Sequence, residues 1–211
     1  MKIRSRKELS FVLRSDMRMN RGYFKKSILR RFIEIFYPDY VMDYLYHMRT
    51  FNYMKDRWYL KPLCLYHKLR YLKLGLKLGY TIGDECLGYG SVFLHYGTII
   101  VGGQNRIGNY SNLHTCTNII DACSKIGDFF FLASGAKITK RITIGDNVMI
   151  GANSVVNKSF ESNLLIAGTP AVIKKTDSPK WLYGGGYNLD SRWEQRYQSV
   201  ERMKEMMNIN F

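Results

Sequence analysis

The stretch KIGDFFFLASGAKITKRITIGDNVMIGANSVV, residues 125–156, decides the fold, because one aliphatic position returns in it every six residues: Ile126, Leu132, Ile138, Ile144, Ile150 and Val156. No helix repeats at six, and plain strand alternation would not bring a turn residue back at the same phase. Small or β-branched residues stand two places before the repeat (Ser124, Ala136, Ile142, Val148, Ser154), and glycine often follows it (Gly83, Gly108, Gly127, Gly145, Gly151). Short strands separated by tight corners produce this pattern. Three six-residue faces close one triangular coil of about 18 residues, and stacked coils lie ~4.8 Å apart, the ordinary inter-strand spacing. The fold class is therefore mainly β, with a parallel β-helix at its centre. Upstream the period reads as Ile107, Leu113, Ile119 and, earlier, as Ile82, Leu94, Ile100 with Gly88 filling the gap. Each block slips by one residue, which predicts small insertions at corners.

The texture changes near residue 78. Before it, Arg, Lys, Tyr, Met and Leu recur at helical spacing in YFKKSILRRFIEIFYPDYVMDYLYHMRTFNYM (23–54) and YLKPLCLYHKLRYLKLGLKLG (59–79), broken at Pro38 and Pro62. Three or four amphipathic helices are expected there. The organisation that follows is an N-terminal α-helical region (1–77), a β-helix (78–176) and a C-terminal tail carrying a short helix (177–211).

Composition narrows the partners. The 211 residues suit one sizeable core with an appendage, and 32 Lys and Arg against 17 Asp and Glu give a formal charge of +15, which favours phosphate-bearing or anionic partners. Cys64, Cys86, Cys116 and Cys123 form no CxxC pair, so reduced thiols and no metal site are expected. The basic N-terminus is interrupted by charges before a signal core can form, and no apolar run reaches the roughly 18 residues of a membrane span. A cytoplasmic protein is expected. Nucleic acid is not an expected partner, because the repeats carry no Lys or Arg column with interleaved stacking aromatics.

Within SVFLHYGTIIVGG (91–103), His95 stands in an apolar run. Leu94 and Leu113 read as repeat positions 19 residues apart, one coil plus one inserted residue, and His95 and His114 follow them. Both histidines are then expected at one corner of adjacent coils, with the small residues Ala133 and Gly151 next in the column. A reactive end with a narrow groove running along the stack is one reading; two turn-capping histidines are the other.

SVFLHYGTIIVGGQNRIGNYSNLHTCTNI (91–119) followed by ITIGDNVMIGANSVVNKSFESNLLIAGTPAVIKK (142–175) resembles the left-handed β-helix hexapeptide acyltransferases, and most closely their serine-acetyltransferase-like branch. LRSDMRMNRG (13–22) and the basic, aromatic helices after it resemble the N-terminal part found in the branch that modifies capsule and exopolysaccharide. The resemblance implies a left-handed coil, acetyl-CoA as donor and a homotrimer. It makes His95 the general base, which takes the proton of an acceptor hydroxyl as that oxygen attacks the thioester, with no covalent acetyl-enzyme. An unperturbed imidazole, with pKa near 6.5, suits this work and contributes roughly 10² to 10⁴ in rate. His114 is the second catalytic candidate. The family lays the pantetheine arm between two subunits along late coils, which implies Ala133, Ser134, Gly151 and Ala152 as contacts, with Lys158, Lys174 and Lys175 facing the phosphates. Asp16 matches a substrate-contacting Asp.

Two departures bear on the acceptor. Where serine acetyltransferases carry Asp before the catalytic His, this chain has Leu94, and the aligned loop IIDACSKIGD (119–128) is short and lacks His. The carboxylate that orients the imidazole aligns at Tyr80, leaving Asp84 or a backbone carbonyl to replace it. A wider, less acidic site follows, suited to a sugar hydroxyl of a cell-surface glycan or its lipid-linked precursor held by Tyr96, Asn112 and Asp16. Serine O-acetylation is the alternative. The basic helices imply peripheral contact with the inner face of a membrane.

Overall fold

The computed structural model describes residues 1–183 and 192–211. The repeat folds into three parallel sheets, one per face of a triangular solenoid. The first runs β1 (Tyr80–Ile82), β2 (Ile99–Val101), β5 (Thr117–Ile119), β8 (Lys137–Ile138) and β11 (Val155–Val156). The second is β3 (Arg106–Ile107), β6 (Lys125–Ile126) and β9 (Thr143–Ile144). The third stacks β4 (Asn112–Leu113), β7 (Phe131–Leu132), β10 (Met149–Ile150) and β12 (Leu164–Gly168), and β12 turns back as the antiparallel β13 (Ala171–Thr176).

Each face sends one column of side chains into the core. The columns are Ile82, Val101, Ile119, Ile138, Val156; Leu87, Ile107, Ile126, Ile144, Phe160; and Phe93, Leu113, Leu132, Ile150, Ile166, all buried. The downstream period is as the sequence reads it. In the first coils the phase differs: Leu87, Phe93 and Val101 point inward, not Gly88, Leu94 and Ile100. The register explains this, for Val92 pairs with Asn112, twenty residues on, whereas Ile99 pairs with Thr117, eighteen on. Two extra residues are therefore accommodated between Phe93 and Thr98.

The recurrent Ile-Gly-Asp/Asn has a stacking reason. At one corner Asn109 N–H donates to Asp128 Oδ1 (2.7 Å), Asp128 N–H to Asp146 Oδ1 (2.7 Å) and Asp146 N–H to Ser162 Oγ (2.9 Å). A Cβ on Gly108 or Gly127 would lie 2.2 Å from the next carboxylate oxygen, so only glycine admits this ladder.

Four helices precede the solenoid: α1 (Arg6–Arg21), α2 (Ile28–Phe36), α3 (Tyr40–Met54) and α4 (Lys61–Leu78). Pro38 lies between α2 and α3, and Pro62 sits in the first turn of α4, where its missing N–H is harmless. Helices α1 and α3 close the open edge of the first coil with a buried polar clamp. Arg49 donates to Asp16 (2.9 Å) and to the carbonyls of Leu87 (2.8 Å) and Gly88 (2.6 Å), while Gly90 N–H donates to Asp16 Oδ1 (2.8 Å). Capping that edge satisfies backbone groups an exposed strand would leave open. The C-terminal α5 (Arg192–Met206) packs back on α1, where Arg196 donates to the Met19 carbonyl. The stretch expected as a C-terminal tail includes residues 184–191, which lie outside the described residues.

Candidate active site

The two-residue expansion places His95 on a protrusion of the first coil. Phe93 turns into the core, whereas Leu94, His95 and Tyr96 face out, Tyr96 being 75% exposed. Main-chain bonds fix this protrusion on both sides. Asn20 donates to the Ser91 carbonyl and accepts from Phe93 N–H, both at 2.8 Å. Gly97 N–H donates to the Leu78 carbonyl (2.9 Å), and the buried Tyr80 hydroxyl donates to the His95 carbonyl at 2.6 Å. Burial raises the Tyr80 pKa, which keeps that hydroxyl protonated and donating. Tyr80 thus secures the backbone of His95 rather than its imidazole. Asp84 does not replace the missing carboxylate, because it accepts from Lys55 (2.7 Å) and Asn52 (3.1 Å). Among the described residues, none hydrogen-bonds the His95 ring.

The column expected to read His95, His114, Ala133, Gly151 is corrected by the register. Continuing the Val92–Asn112 pairing sets Leu94, not His95, over His114, with Ala133 and Gly151 following. The insertion lifts His95 out of the stack but not away from it: its charge, after burial, is the second cause lowering the His114 pKa. His114 is half-buried, its ring lies 4.9 Å from that of Phe131, and its Nε2 has no hydrogen-bond partner among the described residues.

Two residues expected to touch the acceptor are buried. Asp16 is wholly enclosed, and its oxygens are committed to Arg49 and Gly90, which makes it the ion partner of Arg49. Asn112 is 3% exposed in β4, and its Oδ1 has no partner among the described residues. Tyr96 alone of the three is accessible.

Sequence reasoning missed the cleft that Tyr96 helps to form. Leu94 and Tyr96 make one wall of a cavity of about 630 Å³ whose other wall includes Arg21, Asp39, Tyr40 and Lys77. Arg21 and Asp39 form a two-pronged ion pair at 2.6 and 2.8 Å. Burial opposes ionisation of Asp39, but the Arg21 hydrogen bond and charge outweigh it and hold the carboxyl below its usual range. Lys77 lies 3.6 Å above the Tyr40 ring. No sequence signal marks Arg21 or Lys77, because both come from helices whose placement against the first coil is non-local.

Along the late coils, Ala133 and Gly151 keep the outer surface small, but their N–H groups are spent on the carbonyls of Ile150 (3.0 Å) and Ile166 (2.9 Å). The neighbouring N–H groups of Ser134 and Ala152, both exposed, have no partner among the described residues. Lys174 and Lys175 are exposed on β13, and Lys158 lies 5.4 Å over the Phe160 ring. No group of three or more His, Cys, Asp or Glu among the described residues could hold a metal, and no described helix is long and apolar enough to cross a membrane.

The bacterial transferase hexapeptide family (six repeats) matches residues 123–158. A serine acetyltransferase of Staphylococcus xylosus is 35% identical over 101 residues, which cover 47% of this chain and 41% of that protein. WcaF of Escherichia coli K12, named for acetyl transfer in colanic acid biosynthesis, is 30% identical over 94 residues, covering 44% and 48%. The chain thus spans less than half the length of these curated relatives. A serine acetyltransferase of Brucella abortus S19 superposes with a TM-score of 0.62 at 24% identity, over 83% of this chain and 72% of that one, and shows the shared fold.

Proposed function

We propose that this chain, whose solenoid carries the bacterial hexapeptide-transferase repeat and is related to acetyltransferases, moves an acetyl group from acetyl-CoA to a sugar hydroxyl of a cell-surface polysaccharide or its precursor. One observation carries the acceptor assignment. The cleft lined by Leu94 and Tyr96, the two chain neighbours of His95, has Asp39 as its one carboxylate among the described lining residues, and Arg21 already occupies it. An ammonium group entering there would find no charge of its own, whereas hydroxyls can bond to Tyr96 and cations.

In this reading the acceptor lies against Leu94 and Tyr96. His95 removes the hydroxyl proton as the oxygen bonds to the thioester carbonyl; the C–S bond then breaks and the imidazolium returns the proton to the coenzyme A sulfur. His114, whose pKa is lowered chiefly by burial, serves as the second polar group at that corner. The small outer surface at Ala133 and Gly151 leaves room for the pantetheine arm, and the open N–H groups of Ser134 and Ala152 are its donors. Lys158, Lys174 and Lys175 supply charge for the phosphates. A homotrimer, its groove closed by a neighbouring subunit, completes the proposal, as does work in the cytoplasm at the inner face of the membrane; light scattering of the active protein should give three chains.

The acceptor is tested by following coenzyme A thiol release with L-serine and with a panel of hexoses and capsule oligosaccharides. The expected kcat/KM for L-serine is at least about a hundredfold below that of the best glycan, since a site lacking the partner of a charged group discriminates strongly. Saturable turnover of L-serine at millimolar or lower concentration would overturn the assignment in favour of serine O-acetylation.

A further inference from the structure

Helix α2 buries none of its nine residues. At 100° per residue, Ile28, Leu29, Phe32, Ile33, Ile35 and Phe36 fall on one side of it, and their exposures run from 45% to 88%. Arg30, Arg31 and Glu34 occupy the other side. Glu34 is neutralised by Lys26 and Arg30, while Lys25 and Arg31 have no carboxylate partner among the described residues. A second apolar surface lies nearby in sequence and charge. Helix α4 exposes Leu63, Leu65, Tyr66, Leu69, Leu72 and Leu76, contains Lys61, Lys68, Arg70, Lys73 and Lys77, and has no Asp or Glu. Trp58 and Tyr59, just before it, are 79% and 61% exposed.

We propose that α2, with the exposed leucines of α4 and the cations that flank them, docks this protein on an anionic lipid bilayer. Three features select that occupant. A strongly amphipathic helix with cations at the flank and an apolar side left exposed is the pattern of an interfacial helix, and exposed Trp and Tyr suit the headgroup level. The uniform positive charge of α4 would oppose a second copy of the same face, whereas anionic headgroups neutralise it. Finally, α2 borders the cleft: Arg30 and Phe36 line it together with Leu94 and Tyr96. A bilayer-bound α2 therefore holds the cleft at the lipid surface, within reach of an acceptor that is itself lipid-linked.

The test is flotation of the full-length protein with phosphatidylcholine vesicles with or without about 30% phosphatidylglycerol. Binding is expected on the anionic vesicles only, reduced at least about tenfold by 0.5 M salt and by Lys25→Glu/Arg31→Glu. Leu29→Ser/Phe32→Ser should abolish it while leaving the melting temperature and the mass in light scattering unchanged, because both side chains are exposed and the Phe32 ring meets that of Phe36, itself exposed in the same helix. Wild-type protein that stays off anionic vesicles at low salt overturns the proposal. So does a change of oligomeric mass in Leu29→Ser/Phe32→Ser without any effect on vesicle binding, which would make α2 a protein interface. Flotation reads no chemistry, so its failure leaves the acetyl-transfer reading standing, and the reverse also holds.

Discussion

His95→Ala is expected to lower acetyl transfer by at least about a hundredfold while coenzyme A binding, measured by calorimetry, stays within about twofold of wild type. The base acts on the acceptor proton, and the surfaces proposed for the cofactor lie on later coils, so the two readouts should separate. Tyr80→Phe gives a graded companion. It removes only the hydroxyl that bonds the His95 carbonyl at 2.6 Å and leaves the buried ring in place. A loss of about tenfold in kcat with little change in acceptor KM is expected, since a misplaced base weakens the transition state more than it weakens binding. Undiminished turnover by His95→Ala would remove the proposed mechanism. A Tyr80→Phe enzyme that lost only stability would reduce Tyr80 to a packing residue.

The largest expected effect on stability belongs to Asp16→Ala. The substitution strands the Arg49 guanidinium, which is fully buried between α1, α3 and the first coil. Removing one partner of a buried pair costs about 3–5 kcal/mol, because the remaining charge keeps its desolvation penalty without its counterion. Urea unfolding at neutral pH should show this as a shifted midpoint. Asp16→Ala/Arg49→Met should recover part of the loss, since an apolar pair leaves no unmatched charge, although Gly90 N–H and the carbonyls of Leu87 and Gly88 lose their partners. An Asp16→Ala protein as stable as wild type but with raised acceptor KM would restore Asp16 to the substrate site.

The sequence by itself determined the solenoid. Ile126, Leu132, Ile138, Ile144, Ile150 and Val156 keep strict phase because each coil rests on the one below in identical register, so a local repeat is enough to specify a long stack. The glycine that follows the repeat position was equally legible; the Asp or Asn ladder that makes it necessary, by excluding a Cβ at that corner, came from the structure. Tertiary structure decided the start of the stack. Periodicity does not say where an insertion is absorbed, and only the pairing of Val92 with Asn112 and of Ile99 with Thr117 shows that it falls at His95 and lifts the imidazole off the column. The same non-local packing buried Asp16 against a guanidinium 33 residues away and brought Arg21 and Lys77 to one cleft. It also left the apolar side of α2 uncovered, because hydrophobic periodicity marks a face to be buried without naming what buries it.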